Sequence, residues 1–225
     1  MNNLNKTAFG GLFWLTDVLA LLLFVPAWTL NYWQAWVFLA VFSGSAFLIT
    51  FYLMKKDPKL LARRVSAGSS NEKETSQKII QFLAQIAFIA VIIFPVLDHR
   101  FKWSVVPWYL VLAGDALILL GFYIVFLVFK ENTFTSATIE VGTDQRVVST
   151  GPYAYVRHPM YIGALVLLFG IPLALGSWWG LFAVIPITLV IVWRLLDEEK
   201  FLGKNLAGYP EYLHKVKYHL VPFVW

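Results

Sequence analysis

No cysteine occurs among the 225 residues. That excludes disulfides, thiolate-ligated zinc and any covalent thiol mechanism. Charge is scarce too. Asp, Glu, Lys and Arg make up 14% of the chain, against about 25% in soluble domains. Hydrophobic residues make up 59%, more than one water-soluble core of this length can bury. The start lacks the sequence of a basic region, a short apolar stretch and a small-residue cleavage site, so no cleaved signal peptide is expected. Internal repeats and low-complexity tracts are lacking as well. What remains is the composition of an integral membrane protein.

The apolar stretches are about as long as a spanning helix, roughly 20 residues. They predict membrane segments over 9–30, 33–54, 79–97, 105–129, 161–175 and 178–196. The last two are short and read as a tight helical hairpin turning at Gly176-Ser177. The expected fold is an all-α, polytopic membrane bundle of about six segments. With the N-terminus in the cytosol, only Arg100 and Lys102 of the 18 Lys and Arg fall on the far side. The positive-inside rule therefore places both termini in the cytosol. The net charge of +5 belongs to that face, where anionic membrane lipids are its natural partners. No nucleic acid is needed to explain it. Trp28, Tyr32, Trp33, Trp103, Trp108, Trp178 and Trp179 lie near segment ends, as in an interfacial aromatic belt.

Residues 1–129 read as a four-span scaffold with a basic cytosolic loop at 55–78, predicted as a surface helix followed by a flexible turn. Residues 130–225 differ in texture and read as the functional region. Lys130–Thr150 is polar but carries Thr138-Ile139 and Val147-Val148, which predicts a folded cap. Gly151-Pro152 signals a turn, and Pro159 suits the first turn of a helix. A long helix is expected to leave the membrane through Arg194, Asp197, Glu198 and Glu199, and the amphipathic tail 209–225 to fold back over the cytosolic mouth. Asp17 and Asp115 are the only acids inside the predicted spans.

Two clusters carry chemistry. The first is Gly151-Pro152-Tyr153-Ala154-Tyr155-Val156-Arg157-His158-Pro159-Met160-Tyr161-Ile162-Gly163, a basic and aromatic run at the mouth of the membrane. Its helix N-terminus suits a carboxylate or phosphate, and Tyr153, Tyr155 and Tyr161 offer ring faces to a cationic centre. The second is Arg194 with Glu198, four residues on and on the same helix face, and Asp197 within reach at three; Glu199 points about 100° away. Each cluster alone is open to a plain structural role: an interfacial ion pair, or an arginine snorkelling to phosphates. Together, one basic and one acidic, they suit a zwitterionic, amino-acid-bearing cofactor. No metal site is expected.

These residues resemble the isoprenylcysteine carboxyl methyltransferase family. The likeness is carried by Thr150–Tyr153, Val156–Gly163, Arg194–Leu202 with its Glu198-Glu199 pair, Gly208-Tyr209, Tyr212 and Val221-Pro222, and it is similar to phospholipid methyltransferases in the same region. Glu131-Asn132, Ser136 and Gln145–Val148 are similar to the family's bacterial branch. The resemblance implies transfer of a methyl group from S-adenosyl-L-methionine to a lipophilic acceptor at the cytosolic membrane face. By position, His158, Tyr161 and Glu198 would contact the cofactor, with Tyr153 beside them and Gly151, Pro159 and Gly163 shaping the pocket. Arg157 and Arg194 would hold the acceptor, and Glu199 would orient one of them. A carboxylate acceptor is already ionised at neutral pH, so no general base is called for. One departure is His219, where bacterial relatives carry arginine, which leaves the tail without an expected charge role.

Two other classes stay open. NADPH-dependent sterol or lipid reductases share an Arg-His-Pro-x-Tyr segment, but they have asparagine at the place of Met160 and lack the Glu198-Glu199 pair. A non-catalytic scaffold of the same fold is the third.

Overall fold

The computed structural model describes residues 2–65, 75–136, 138, 139, 141 and 145–225. Among them, in chain order, are eight α-helices: α1 (Asn2–Ala27), α2 (Trp33–Lys56), α3 (Pro58–Val65), α4 (Thr75–Phe101), α5 (Trp108–Glu131), α6 (Pro159–Ala174), α7 (Val184–Asn205) and α8 (Tyr209–Lys215). Among the described residues there is no strand. Segments 3–27, 33–56, 75–101, 108–131 and 179–205 are long and apolar enough to cross a membrane. The sixth, α6, has 16 residues, a length of about 24 Å at the rise of an α-helix. The chain is a multi-pass integral membrane bundle.

The outside of the bundle is apolar, as a lipid-facing surface requires: Leu48, Val105 and Leu189 are all strongly exposed. Inside, Leu19, Leu23, Phe38, Val91, Ile92, Ile118 and Ile171 form one buried core drawn from α1, α2, α4, α5 and α6. The closest seam is α5 against α6. Gly114 and Gly121 on α5 are seven apart, as are Gly163 and Gly170 on α6, and the two pairs face each other. A Cβ on Gly121 would lie 2.6 Å from the Gly163 carbonyl oxygen, and one on Gly163 would lie 2.9 Å from that of Gly121. Small residues let the backbones approach this closely, which is a principal source of helix association in lipid.

The turn joining α6 to α7 falls at Leu175–Ser177, where Gly176 takes φ 74°. Asp98 holds this turn from α4. Its carboxylate accepts the Ser104 amide at 2.7 Å and the Ser104 and Ser177 hydroxyls. Tyr32 donates to the Leu175 carbonyl at 2.6 Å. Helix α4 runs past its predicted end, so Asp98 joins Asp17 and Asp115 as an acid within a spanning helix, and it is fully buried. The carboxylate of Asp115 is buried with no hydrogen-bond partner.

At the opposite end, the surface helix expected after α2 forms as α3, with one side packed on the bundle. Its Leu60 and Leu61 are buried against Ala8, Leu53 and Phe129. Asp57 caps it by accepting the Leu60 amide at 3.0 Å, and Arg63 donates to the Thr133 carbonyl. The flexible turn expected after it falls at 66–74, outside the described residues. The tail does fold back. The Arg157 amide donates to the Tyr218 carbonyl at 2.9 Å and the His158 amide to that of His219 at 3.0 Å. The segment 145–149 is irregular, and Val147 packs with Leu206, Tyr209 and Tyr212.

Candidate active site

Close packing of α5 on α6 sets the start of α6 beside the end of α5, and the hairpin returns α7 to the same end. The described residues between α5 and α6, Asn132 to Ser136 and Gln145 to His158 among them, therefore lie over three helix ends. They enclose a cavity of about 420 Å³, within the usual range for small-molecule pockets, about 300–1,000 Å³. Tyr153, His158, Pro159 and Tyr161 line it from the α6 side, Arg194 and Glu198 from α7, and Tyr209 and Tyr212 from α8. Val125, Ala164 and Ile191 carry the lining into the spanning segments.

Glu198 and Tyr161 meet inside it, the tyrosine hydroxyl donating to Glu198 Oε2 at 2.7 Å. Arg194 donates from Nη1 to the side-chain oxygens of Gln77 and Gln81 on α4, at 3.1 and 3.0 Å. Asp197, expected within reach of Arg194, takes up Ser76 at 3.1 Å and Gln77 instead. The i,i+4 spacing allowed an Arg194–Glu198 pair, but neighbouring helices supply other partners for both.

Glu199 turns away from the cavity, as its helix angle requires, and collects three basic groups. Arg157 Nη1 lies 3.2 Å from it, His158 Nε2 3.0 Å and His219 Nε2 3.3 Å. Arg157 also donates to the carbonyls of Val216 at 2.7 Å, Lys217 at 3.2 Å and Leu213 at 3.3 Å. Its guanidinium fastens the tail to the start of α6. His219 stacks on Trp225 with ring centres 4.6 Å apart, so the tail, expected to carry no charge role, contributes directly to this knot. Burial pulls the His219 pKa below the ordinary histidine range, against the raising effect of Glu199.

The remaining candidates support the wall. Gly151 takes φ 56° with its α-carbon against the Glu131 side chain, a backbone turn that disfavours a side chain. Tyr153 accepts the Asn132 side-chain amide at 3.1 Å on its hydroxyl, while its carbonyl accepts the Tyr212 hydroxyl at 2.8 Å. Burial raises the pKa of Tyr153, Tyr209 and Tyr212, so all three stay protonated. Gly163 does not line the cavity; it belongs to the α5–α6 seam.

Sequence reasoning missed Arg64 and Gln81. Both line the cavity from the first half of the chain. Arg64 donates to the Ser136 carbonyl at 3.1 Å and lies over the Phe129 ring at 5.2 Å. The signal in the sequence was one charged pair, Arg63-Arg64, and only Arg64 turns inward.

Residues 109–207, from the start of α5 to just beyond α7, match the family model described as phospholipid methyltransferase. That is under half of the chain. The chain is also similar to the Delta(14)-sterol reductase TM7SF2 of Mus musculus, 32% identical over 91 residues, which is 39% of this chain and 22% of the mouse protein. The chain thus matches less than a quarter of that relative's length. Arg64, Gln81, Tyr209, Tyr212 and His219 all lie outside the stretch that the family model covers.

Proposed function

We propose that the chain is an S-adenosyl-L-methionine-dependent methyltransferase that O-methylates the carboxylate of a lipophilic, isoprenoid-like acceptor. The observation that carries this is the Tyr161–Glu198 hydrogen bond, set beside Arg194 in a cavity that reaches from the polar end of the bundle into its spanning helices. The family match over the same helices supports it. The balance of basic residues in the chain supports a cytosolic orientation for that end. We place the protein in the inner membrane of a bacterium on the resemblance of residues 131–148 to the bacterial branch.

The cavity suits the cofactor by its chemistry as well as its size. Glu198 would take the ammonium group, and Tyr153, Tyr161, Tyr209 and Tyr212 line the same cavity, where their rings would offer faces to a cation. His158 and Pro159 close the wall, while Gly151 and Gly163 hold its supports in place. When bound, the cofactor supplies an activated methyl group on a sulfonium, which passes to a carboxylate oxygen as the electron pair of the broken C–S bond stays on sulfur. No proton moves, and the protein needs no base. Its own residues orient the acceptor and exclude water. Arg194 faces the acceptor. Glu199 acts one step removed, by holding Arg157 and His158 and through them the tail.

Titration of S-adenosylhomocysteine into the purified full chain tests this. Saturable binding in the micromolar range is expected, and no binding at millimolar concentration would sink it. The similarity to a sterol reductase favours one second reading, an NADPH-dependent reductase of membrane lipids. Glu198 in the cavity and Met160 in its wall speak for the methyltransferase. Binding of NADPH without binding of S-adenosylhomocysteine reverses the order. A phospholipid N-methyltransferase would bind S-adenosylhomocysteine equally and is separated by its product: mass spectrometry of membrane lipids shows whether the added methyl sits on oxygen or nitrogen.

A further inference from the structure

Among the described residues, the N-terminal half of the chain, outside the family match, puts one cationic side chain, Arg64, into the cavity. Helix α3 is fixed there by its buried Leu60 and Leu61, and by Asp57 and Arg63, which both bond Thr133. Arg64 follows on the inner side of the same helix. Its contacts are a neutral carbonyl, that of Ser136, and the face of Phe129. Among the described residues no carboxylate pairs with it. A guanidinium has five N–H donors, and a charge partly withdrawn from water without a counter-ion is costly.

Burial lowers the Arg64 pKa, and the neighbouring positive charge of Arg194 lowers it further, partly opposed by Tyr161. Two guanidiniums thus feel each other across one cavity. Among the described lining residues the charges are Arg64, Arg146, Arg157 and Arg194 against Glu198. Glu198 is engaged by Tyr161, and Arg157 is engaged by Glu199 and the tail. Among the described residues, Arg64 meets only neutral groups, the Ser136 carbonyl and the Phe129 ring.

We propose that Arg64 is the acceptor-recognition residue of this site: it binds the oxyanion of the lipophilic substrate beside Arg194, and so selects acidic over amine-bearing acceptors. This rests on the methyltransferase reading for the identity of the acceptor, though not for the binding itself. An oxyanion arrives either as a free lipid carboxylate or as a phospholipid phosphate. The planar fork of Arg recognises both bidentately, whereas Lys offers a point charge.

The test uses the full chain in detergent micelles, with S-adenosylhomocysteine, oleate, dioleoyl phosphatidic acid and oleylamine as separate probes. Wild type is expected to bind oleate or the phosphatidic acid and to bind oleylamine far more weakly. R64Q is expected to weaken the anionic probe by about tenfold to a hundredfold, the range for one charge-assisted contact, while S-adenosylhomocysteine affinity stays within about twofold of wild type. R64K keeps the charge and is expected to fall between the two; it carries the comparison if R64Q fails to fold. Loss confined to oleate names a carboxylate acceptor, and loss confined to phosphatidic acid names a phosphate headgroup. Either supports the role. Equal binding of the anions by wild type and both variants overturns it, as does no binding of either anion to wild type. A parallel loss of S-adenosylhomocysteine overturns it too, by moving Arg64 to the cofactor. Absence of S-adenosylhomocysteine binding in wild type, with Arg64-dependent binding of an anion, defeats the methyltransferase reading and leaves the anion site standing.

Discussion

Tyr161 and Glu198, on antiparallel helices α6 and α7, share a 2.7 Å hydrogen bond inside the cavity. The tyrosine fixes the direction of the one described carboxylate that lines that space. Removing the hydroxyl frees the carboxylate without removing its charge, whereas amidation keeps the shape and loses the charge. Tyr161→Phe is therefore expected to weaken S-adenosylhomocysteine by about fivefold to tenfold, and Glu198→Gln by about tenfold to a hundredfold, as for neutral and charged hydrogen bonds. Isothermal titration on both variants checks the order. A larger loss in Tyr161→Phe than in Glu198→Gln would remove Glu198 from the binding role.

Glu199 is the common partner of Arg157, His158 and His219. Its deletion leaves a largely buried guanidinium facing two imidazoles. Breaking a buried ion pair by removing one partner costs about 3 kcal/mol or more, and here the loss falls on the contact between tail and α6. Glu199→Ala is expected to lower the unfolding temperature in detergent and to speed trypsin cleavage at Lys215 and Lys217. Unchanged protease sensitivity would show that the tail is held by its backbone hydrogen bonds alone.

His219 makes that knot depend on pH. Its folded-state pKa lies below the ordinary value because burial disfavours the charged ring. The unfolded chain, at about 6.5, then binds the proton more readily than the folded chain. Stability from this group is fully present above about 6.5, falls as the pH drops below that value, and levels off beneath the folded-state pKa. Arg157, His158 and Glu199 are the charged or titratable groups that face it. Unfolding temperatures of wild type and His219→Gln, measured from pH 8 to pH 5, are expected to run parallel above about 6.5. Below it wild type should lose stability faster, and parallel curves throughout would contradict the assignment.

Much of this was legible in the hydropathy of the chain and in one motif. Apolar runs of spanning length located the long helices because, in lipid, burial does not compete with exposure for the same residues. Val156–Gly163 and Arg194–Glu199 were legible as a pair because helix periodicity fixes which of two adjacent acids turns inward. What periodicity leaves open is the choice among partners on different helices. Arg194 reaches Gln77 and Gln81, more than 110 positions away, and Arg64 reaches Ser136, 72 positions away. Asp98 lay just past a predicted span end, and its role depends on Ser177 in the turn of the hairpin, 79 positions away. Gly163 was legible as an important glycine, but its partner Gly121 shows that helix packing, and not ligand contact, is what demands it.

That seam gives the sharpest stability contrast. A Cβ on Gly121 would meet the Gly163 carbonyl at 2.6 Å and the Leu167 backbone nitrogen at 2.8 Å, contacts that force α5 and α6 apart. Overpacking of this kind costs about 1–3 kcal/mol, and it also shifts the start of α6, where His158, Pro159 and Tyr161 line the cavity. Gly44, on α2, has nothing within 4 Å of such a Cβ. There an alanine recovers helix propensity worth about 0.5–1 kcal/mol. Gly121→Ala is expected to lower the unfolding temperature and to weaken S-adenosylhomocysteine, while Gly44→Ala raises or preserves the unfolding temperature and leaves the affinity alone. If the two substitutions behave alike, the close approach of α5 and α6 is not what positions the site.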